Sequence, residues 1–478
     1  MKRRNFIYNL TALTSGLIVV GKLPANTITN NSSTLKGRVT ANNKGISGVV
    51  VSDGYSVVAT DSKGQYEITP NADARAVFVS TPAGYEFNHD KCIARHYSLL
   101  KKNDETKIDF ELTPLGKDDN EHQFLIWADP QVKNDSDVEK MMSESASDVK
   151  KLVAAAGSGT LMHGITVGDI VWDEHKYYPD YDKAVKKMGI PFFQCLGNHD
   201  MDYNKGGDET SDVTFQQNYG PTYYSFNRGQ LHYVVMDNVR YLGKDRNYDG
   251  FFQQNQLDWL QKNLSFVPKD KLIILSVHIP VHSGTKNKEA LYSLLEGRNV
   301  HIMSGHTHYH VNAIKDNIYE HNHGTVCGAW WTGPICGDGT PCGYGVYKAK
   351  GKELSWHYQS TGEDKDHQFS IHANDYNDKE KQIQVNIWNY DPAWKTEYWI
   401  DGKSKGPLEQ FEGFDPLAYA TLLGPELPKP RGFAEPRKTD HLFKAIVPST
   451  AKKVKIVVTD RFGKNFSRTA FCNLVQSF

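Results

Sequence analysis

The sequence is poor in cysteine, and none of its six cysteines forms a C-x-x-C pair in 478 residues. A zinc ribbon or a thioredoxin-like redox site is therefore not indicated. Cys195 lies within an apolar run, where a buried structural thiol is favoured. Cys336 and Cys342 could close a small loop, although spacing alone does not fix disulfide geometry. The cysteines are Cys92, Cys195, Cys327, Cys336, Cys342 and Cys472.

The sequence also lacks an excess of charge of one sign. Its 55 Lys and Arg residues are balanced by 56 Asp and Glu residues, which gives a formal net charge of -1. No basic stripe with interleaved aromatic residues is present, so cleavage of nucleic acid is not supported. The balance also gives no general attraction to an anionic membrane surface. Any recognition of phosphate must therefore be local.

No apolar run is long enough to span a bilayer, which takes about 20 residues. Residues 1–30 nevertheless have the pattern of an export signal, because Lys2, Arg3 and Arg4 precede a short, interrupted apolar segment. The segment Arg3–Ile7 resembles a twin-arginine signal, and an ordinary secretory signal is an equal alternative. We therefore expect an exported protein, periplasmic or at the cell surface, without a transmembrane span in the mature chain.

The remaining sequence divides into three regions of different pattern. Residues 33–115 contain short β-rich runs separated by turn signals, which predict a small β-sandwich domain. From residue 120 to 355, strands alternate with helical stretches, which indicates an α/β domain with a layered sheet. Residues 356–478 return to alternating β patterns and predict a second small β domain.

Helical periodicity predicts three helices, and three tryptophans near the C-terminus have two possible roles. The predicted helices cover Val138–Ala156, Tyr181–Met188 and Asn255–Leu264. In the last region, Trp388, Trp394 and Trp399 could stack on sugars, but packing in a β core is favoured for such rings.

Five apolar runs of strand length in the central region end in residues that are able to bind a metal. The residues at these ends are Asp129 and Gln131; Asp169; Asn198, His199 and Asp200; His278; and His306 and His308. In layered α/β folds, ligands gather outside the carboxyl ends of the strands, so we expect these side chains to lie together.

This set of side chains suits a hydrolytic site with two metal ions. Such a site needs oxygen ligands and imidazoles that hold two cations about 3.5 to 4 Å apart. Carboxylates, an amide oxygen and imidazoles suit Zn, Mn or Fe. His306 and His308 are two residues apart, so in an extended segment their side chains project the same way. A lone Asp or His at a strand end is more often a hydrogen-bonded loop residue, but that explanation must hold independently at every position.

The motifs D-x-Q, G-D, G-N-H-D, a strand-terminal His and G-H-T-H occur in this order over about residues 120–350. The ordered set resembles the calcineurin-like metallophosphoesterase superfamily. The resemblance implies a layered metallophosphoesterase β-sandwich flanked by helices, an α/β fold, with a small all-β domain on each side. It assigns Asp129 and His308 to the first metal and makes Asp169 the bridge. It assigns Asn198, His278 and His306 to the second metal.

Gln131 departs from the family pattern, in which His is commoner at this position. Gln is a weaker, neutral donor that either binds the first metal or hydrogen-bonds a coordinated water. The sequence A-D-P-Q resembles a branch containing Mn-dependent ADP-ribose and CDP-alcohol diphosphatases and a Ser/Thr phosphatase. The cofactors implied are two divalent or trivalent ions, with Mn or Fe favoured somewhat over Zn. Asp173 stands four residues after Asp169 instead of three and is interpreted as an acid outside the ligand set.

The resemblance implies an enzyme that hydrolyses phosphate esters by attack of a hydroxide bridging the two metals. His199 would give a proton to the departing alkoxide, and Asp200 would orient its imidazole. The substrate is a phosphate-ester small molecule or a phosphorylated macromolecule. Monoester, diester and diphosphate substrates stay open, because the motifs do not describe the leaving-group pocket. The alternative is a non-catalytic cell-surface or glycan-binding protein with a vestigial metal site.

Other residues near the motifs carry weaker expectations. A structural role is favoured for five further histidines, among which only His282 and His310 lie close enough in sequence to support the ligands. These histidines are His282, His301, His310, His321 and His323. Trp330 or Trp331 either stacks on a base or sugar of the substrate or packs in the core.

Overall fold

Strand pairing builds two central sheets with smaller sheets on both sides, in a computed structural model that describes residues 34–100, 106–423 and 434–471. The predicted export signal, residues 1–30, lies outside the described residues. The described residues belong to one compact unit. Within the described ranges, no helix combines the length and apolar character needed to cross a membrane.

The N-terminal region consists of ten short strands. They are β1 (Leu35–Ala41), β2 (Lys44–Gly45), β3 (Val50–Ser52), β4 (Val57–Ala59), β5 (Gln65–Ile68), β6 (Ala76–Val79), β7 (His89–Asp90), β8 (Ile93–Ala94), β9 (Tyr97–Leu99) and β10 (Phe110–Glu111). Two four-stranded sheets enclose a core that includes Val39, Val51 and Val77. Strands β7 and β8 leave this region and extend a central sheet, where Ile93 pairs with Phe192.

The central region contains thirteen strands and seven α-helices. The strands are β11 (Glu121–Trp127), β12 (Met162–Val167), β13 (Phe192–Cys195), β14 (Tyr224–Arg228), β15 (Leu231–Val235), β16 (Val239–Tyr241), β17 (Tyr248–Gly250), β18 (Leu272–Ser276), β19 (Val300–Ser304), β20 (Val311–Lys315), β21 (Ile318–Asn322), β22 (Gly343–Lys350) and β23 (Glu353–Ser360). The helices are α1 (Asp135–Lys140), α2 (Ala146–Ala156), α3 (Tyr178–Met188), α4 (Val213–Tyr219), α5 (Gln254–Ser265), α6 (Val281–Gly284) and α7 (Lys288–Leu295).

The two central sheets have their parallel strands in the middle. The first has the order β23-β22-β11-β12-β13-β8-β7, and the second has the order β14-β15-β18-β19-β21-β20. Strands β11, β12 and β13 are mutually parallel, as are β15, β18, β19 and β21. Parallel neighbours bring their carboxyl ends to the same edge of a sheet, so each central sheet collects several loops at one edge.

The burial of β11 explains its continuous apolar sequence. Phe124 and Ile126 belong to the core that also contains the strands of the second sheet, whereas Leu125 and Trp127 pack with residues of α2 and α3. Both faces of the strand are therefore covered, which is typical of a parallel sheet with a layer on each side. Full burial of each such side chain contributes about 1.5–3 kcal/mol.

The predicted helices are present. Val138–Ala156 corresponds to α1, a π-helical turn at Met141–Ser145, and α2. Tyr181–Met188 lies within α3, and Asn255–Leu264 lies within α5.

The C-terminal region is a pair of four-stranded antiparallel sheets. Its elements are β24 (Phe369–Asn377), β25 (Glu380–Ile387), β26 (Lys395–Ile400), β27 (Lys403–Gly406), β28 (Glu409–Phe414), α8 (Pro416–Leu423), β29 (Lys438–Pro448), β30 (Lys453–Thr459) and β31 (Asn465–Phe471). Trp388 and Trp394 are buried, as the packing interpretation predicts. The fold class is confirmed as a layered α/β region with small all-β regions before and after it.

None of the described cysteines forms a disulfide. Cys195 is fully buried, as predicted. Cys336 and Cys342 are both free, so the loop between them is not closed by a disulfide. Its shape is held by backbone hydrogen bonds such as Cys336 N–H to the Thr340 carbonyl, at 2.7 Å.

Removal of a core side chain should show how much the packing between the two central sheets contributes to stability. Ile274 of β18 is 0% exposed and lies in the central core. We expect Ile274→Ala to lower the free energy of unfolding by about 2–5 kcal/mol, because it leaves a cavity. The control is Ile314→Ala on β20, where the side chain is 50% exposed, and there we expect a change within about 0.5 kcal/mol. Denaturant unfolding followed by tryptophan fluorescence measures both, and equal effects would contradict this description of the core.

Candidate metal centre

The carboxyl ends of five central strands deliver the predicted site residues to one place. Asp129 and Gln131 follow β11, Asp169 follows β12, and Asn198 follows β13. His278 follows β18, and His306 and His308 follow β19. The first three strands belong to one central sheet and the last two to the other, so the site lies where the edges of both sheets meet.

Direct contacts connect most of these side chains around one imidazole. His278 Nε2 lies 3.2 Å from Asp169 Oδ1, 3.0 Å from Asn198 Oδ1 and 3.1 Å from His306 Nδ1. One ligand atom from each of Asp169, His278 and His306 lies within 4.8 Å of the others, a spacing that could hold a metal ion. Gln131 Nε2 donates to Asp169 Oδ2 at 3.1 Å.

The remaining two predicted ligands complete the cluster on its other side. His308 Nε2 lies 3.6 Å from Asp129 Oδ1. The backbone N–H of His306 donates to both oxygens of Asp129, at 3.1 and 2.9 Å. The structure thus brings all seven predicted ligands together, and their individual assignments to one metal or the other stay predictions.

The backbone of the site adopts a conformation that few side chains favour. Asp129, Gln131, Asp169, His306 and His308 all have positive φ, between 41° and 72°. Residues in this left-handed region are uncommon outside glycine and persist where surrounding contacts hold them. These turns direct the five side chains into the cluster.

Two glycines leave space for the carboxylates. A Cβ on Gly305 would lie 2.3 Å from Asp129 Oδ2, and a Cβ on Gly197 would lie 2.3 Å from Asp169 Oδ1. Both distances are too short for any side chain. The glycines of the G-H-T-H and G-N-H-D motifs are therefore required by the close approach of these carboxylates.

Hydrogen bonds behind the cluster fix which nitrogen of two imidazoles faces it. His278 Nδ1 lies 2.9 Å from the Val167 carbonyl, and His308 Nδ1 lies 2.6 Å from the Gly328 carbonyl. A carbonyl oxygen only accepts, so Nδ1 donates in each case and Nε2 is the nitrogen that faces the cluster, where a neutral ring would offer its lone pair to a metal. This arrangement is the usual support for a metal-binding histidine. The donor set and its orientation therefore fit a metal.

The electrostatics of the cluster also favour cations. Burial and the charge of Asp169 raise the pKa of Asp129 well above its ordinary value. Burial acts in the same direction on Asp169, but His278 and His199 outweigh it and lower its pKa. Burial lowers the pKa of His306 to about 3 and that of His308 to about 4, so both rings are neutral near pH 7. Metal binding requires ionised carboxylates and neutral imidazoles, so it would release protons from such a cluster.

His199 stands beside the cluster with its own carboxylate partner. Its Nδ1 lies 2.7 Å from Asp173 Oδ1, and its backbone N–H donates to Asp169 Oδ1 at 2.8 Å. The ring of Trp172 packs on the imidazole, with ring centres 4.6 Å apart. Burial lowers the pKa of His199, but Asp169 and Asp173 outweigh it and raise the pKa above its ordinary value.

The predicted role of Asp200 in orienting His199 is corrected by these contacts. The Asp200 carboxylate instead accepts the backbone N–H groups of Gly197 and Ile170, at 3.0 and 3.1 Å. Asp200 ends the 3₁₀ turn Asn198–Asp200, so its carboxylate lies next to the backbone N–H of Gly197, which precedes that turn. Asp173 takes the orienting position and also pairs with Arg246.

Aromatic residues line the site in two different ways. Trp330 stacks on the predicted ligand His308, with ring centres 4.2 Å apart and planes at 21°. Trp331 is buried, and its Nε1 donates to the Pro130 carbonyl at 3.0 Å. Trp331 is therefore a packing residue, whereas Trp330 supports an imidazole of the site. Lys133 Nζ lies 4.9 Å from the centre of the Trp172 ring and adds positive charge at the rim.

The other histidines occupy structural positions. His301 Nδ1 lies 2.8 Å from His321 Nε2 within the core, and His323 Nε2 lies 2.7 Å from the Tyr347 hydroxyl. His282 Nδ1 lies 3.2 Å from the buried Glu320 carboxylate. The backbone N–H of His310 donates to Asp338 Oδ2 at 2.8 Å.

Family models match three consecutive parts of the chain. They are the N terminal of Calcineurin-like phosphoesterase at residues 33–115, Calcineurin-like phosphoesterase at residues 122–310, and the C terminal of Calcineurin-like phosphoesterase at residues 320–466. The chain belongs to the calcineurin-like phosphoesterase family, which confirms the resemblance of its motifs. Membership assigns it, in general terms, to the metal-dependent hydrolysis of phosphoesters.

Solved structures with a similar fold come from distant proteins. A dimetal phosphatase from Danio rerio is 15% identical, with 50% of this chain and 96% of that chain covered and a TM-score of 0.35. Purple acid phosphatase PPD1 from yellow lupin (Lupinus luteus) seeds is 12% identical, with 76% and 69% covered and a TM-score of 0.37. No significant relative is found among curated proteins. Family membership rests on the sequence models.

Loss of the central carboxylate should remove metal from the protein. We expect Asp169→Asn to retain far less Mn²⁺ than the unaltered protein after dialysis, because a ligating charge is replaced by a neutral amide. Elemental analysis of the purified proteins measures this. The control is Asp249→Asn, whose carboxylate pairs with Arg240 and Lys286 outside the cluster. Unchanged metal content in Asp169→Asn would remove Asp169 from the ligand set.

Loss of the charge beside His199 should affect turnover and leave metal binding intact. Asn at position 173 can still accept from His199 Nδ1, but it no longer stabilises the protonated ring. We expect Asp173→Asn to lower kcat for phenyl phosphate by about tenfold or more, within the range of general acid catalysis. For p-nitrophenyl phosphate, whose leaving group needs less protonation, the loss should be smaller. Equal losses for both esters would contradict the pairing of Asp173 with a proton donor.

Proposed function

We propose that this protein hydrolyses phosphate esters at a site with two metal ions. The observation that carries the proposal is the cluster centred on His278 and Asp169. In this cluster, the imidazoles of His278 and His308 face the carboxylates with Nε2. A purely structural cluster has no need of ionised carboxylates, an amide oxygen and correctly oriented imidazoles at one point. Hydrolytic metal sites need this combination.

The residues divide into two groups that would hold the two cations. Asp129 and His308 are in contact on one side, with Gln131 nearby, and would hold the first. Asn198, His278 and His306 are in contact on the other side and would hold the second. Asp169 lies next to His278 and Gln131 and is the bridge in this arrangement. When bound, such cations supply a hydroxide nucleophile near neutral pH and neutralise charge on the phosphate oxygens.

His199 is the proton donor in this mechanism. Asp173 holds the imidazole at its Nδ1 side, so Nε2 is left to face the leaving group. The raised pKa keeps the ring protonated at a higher pH than an ordinary histidine. The ring of Trp172 packs on the imidazole with its plane tilted by 36° and limits the rotation of the ring. Protonation of the leaving oxygen by a positioned side chain contributes about 10²–10⁴-fold in rate.

The positive charges at the rim suit an anionic substrate. Lys133 lies over Trp172, and Arg246 pairs with Asp173 beside His199. Lys133 is connected to His199 through Trp172, and Arg246 through Asp173. Neither contacts a predicted metal ligand in the described hydrogen bonds and ion pairs. We therefore place the phosphate group between the metal cluster and these two cations. Monoester and diester substrates both meet this requirement.

The proposal predicts metal-dependent release of p-nitrophenol. The protein should hydrolyse p-nitrophenyl phosphate or bis(p-nitrophenyl) phosphate when supplied with Mn²⁺, Fe²⁺ or Zn²⁺, because the cluster needs cations to generate the nucleophile. Treatment with EDTA should abolish the release, and added metal should restore it. The two esters together show whether monoesters or diesters are preferred.

The same assay separates an enzyme from a binding protein. Tight metal binding without hydrolysis of either ester, or of a broader panel of phosphate esters, would contradict the proposed activity. His89→Ala is the matched control for histidine replacement, since His89 is exposed and lies in β7 away from the cluster. It should retain full activity, whereas His199→Ala should retain metal and lose turnover.

A further inference from the structure

A group of buried polar side chains joins the loop after His308 to the C-terminal β region. We name it the Asp338 cluster, and its members are His310, Asp338, Asn386, Asp415 and His441. Asp338 and Asp415 are each only 1% exposed, and His441 is 3% exposed. Buried charged and polar groups are costly unless they are fully hydrogen-bonded. The contacts of this cluster therefore show what it holds in place.

On the side of the metal centre, the cluster and its neighbour Gly337 form hydrogen bonds with the backbone of residues 308–310. Asp338 Oδ2 accepts the backbone N–H of His310 at 2.8 Å. The neighbouring Gly337 donates its backbone N–H to the carbonyl oxygen of His308 at 3.1 Å. The segment from His308 to His310 is thus held at two backbone points before β20 begins at Val311.

On the other side, the cluster is anchored in the C-terminal sheet. His441 of β29 places Nε2 3.0 Å from Asp338 Oδ2 and Nδ1 2.7 Å from Asn386 Oδ1. The Asn386 amide nitrogen donates to the Asp338 carbonyl at 2.8 Å and to Asp415 Oδ2 at 2.9 Å. Its amide oxygen therefore faces His441 Nδ1, and the ring lies between Asn386 and Asp338. The ring links two strands of the C-terminal sheet to Asp338.

The two regions also approach closely around the cluster. Gly339 has φ of 84°, and a Cβ there would lie 2.3 Å from the carboxyl carbon of Asp415. Asp415 in turn accepts the backbone N–H of Ala418 at 2.9 Å, at the start of α8. The loop that carries Asp338 is therefore in direct van der Waals contact with the C-terminal region.

An apolar contact reinforces the same loop. Leu422 of α8 and Ala434 form a small buried cluster with Ala329, and Trp330 packs against it. The ring of Trp330 stacks on the His308 imidazole. The C-terminal region thus supports His308 through its backbone by way of Asp338 and through its side chain by way of Trp330.

From these contacts we infer that the C-terminal β region positions the predicted metal ligand His308, with Asp338 and His441 as positioning residues. The inference rests on the proposed function, since it concerns a ligand of that site. Neither residue touches the metal cluster, and both act through the backbone of residues 308–310. Supports of this kind to metal ligands change metal affinity by about 10- to 100-fold when they are lost.

The test is His441→Ala in the full chain, with two readouts. Hydrogen exchange of the segment 305–310, measured by mass spectrometry without added metal, should be faster by about tenfold, because the local opening of this loop becomes easier. In a Mn²⁺ titration by calorimetry, one of the two binding events should weaken by about tenfold or more. The other event, assigned to the side with His278, should change much less.

Two further variants separate positioning from general damage to the C-terminal region. His372→Ala removes a histidine from the same sheet that is buried to a similar degree and whose Nε2 lies 3.4 Å from Asp415. The ring of His441 and its contacts with Asp338 and Asn386 are kept in this variant. It should leave exchange in residues 305–310 and both Mn²⁺ affinities within twofold of those of the unaltered protein. His441→Gln, whose amide can donate to Asp338, should restore most of the lost affinity.

The exchange rates and Mn²⁺ affinities of these variants decide whether Asp338 and His441 position His308. Unchanged exchange and unchanged Mn²⁺ affinity in a folded His441→Ala protein would overturn the inference. Equal losses in His441→Ala and His372→Ala would also overturn it, since the effect would then be one of domain stability. If the unaltered protein binds Mn²⁺ but hydrolyses no phosphate ester, the proposed function fails while the positioning of His308 is still decided by exchange.

Discussion

The burial of two carboxylates at one point is the constraint on which the rest of the site depends. Asp129 and Asp169 are 0% and 1% exposed. Each buried ion costs several kcal/mol unless it is compensated. The chain offers partial compensation, through the backbone N–H groups of His306 and His199, the side-chain amide of Gln131 and the ring of His278. Cations between the carboxylates would complete it. Gly197 and Gly305 leave room for the two carboxylates, and the left-handed turns at Asp129 and Asp169 direct them into the cluster.

The fold supplies this arrangement by bringing two sheets together at their carboxyl edges. Strands β11, β12 and β13 deliver the predicted oxygen ligands, and β18 and β19 deliver the predicted imidazole ligands. Neither sheet contains a complete site. Packing of the apolar faces between the sheets therefore determines the distance between the two kinds of ligand. The loops then refine it through contacts such as Gly328 on His308 and Asp338 on the backbone of His310.

The sequence predicted those features that are local to a strand end. An apolar run followed by a polar residue is visible in the sequence, and parallel strands place such ends together, so the ligand cluster could be predicted. The partner of His199 could not. Asp173 and His199 are 26 residues apart, and their contact depends on the positive φ of Asp173. Adjacency in sequence favoured Asp200, which instead binds backbone N–H groups. The Asp338 cluster could not be predicted because its contacts join residues distant in sequence, such as Asp338 and His441, which are 103 residues apart.

We propose that two metal ions lie between these residues, with Asp169 as their bridge. The most direct measurement is an anomalous scattering map from crystals grown with Mn²⁺. We predict two peaks about 3.5 to 4 Å apart, with an Asp169 oxygen between them. One peak should lie beside Asp129 and His308, and the other beside Asn198, His278 and His306. A single peak, or a pair of peaks that does not contact Asp169, would contradict the account.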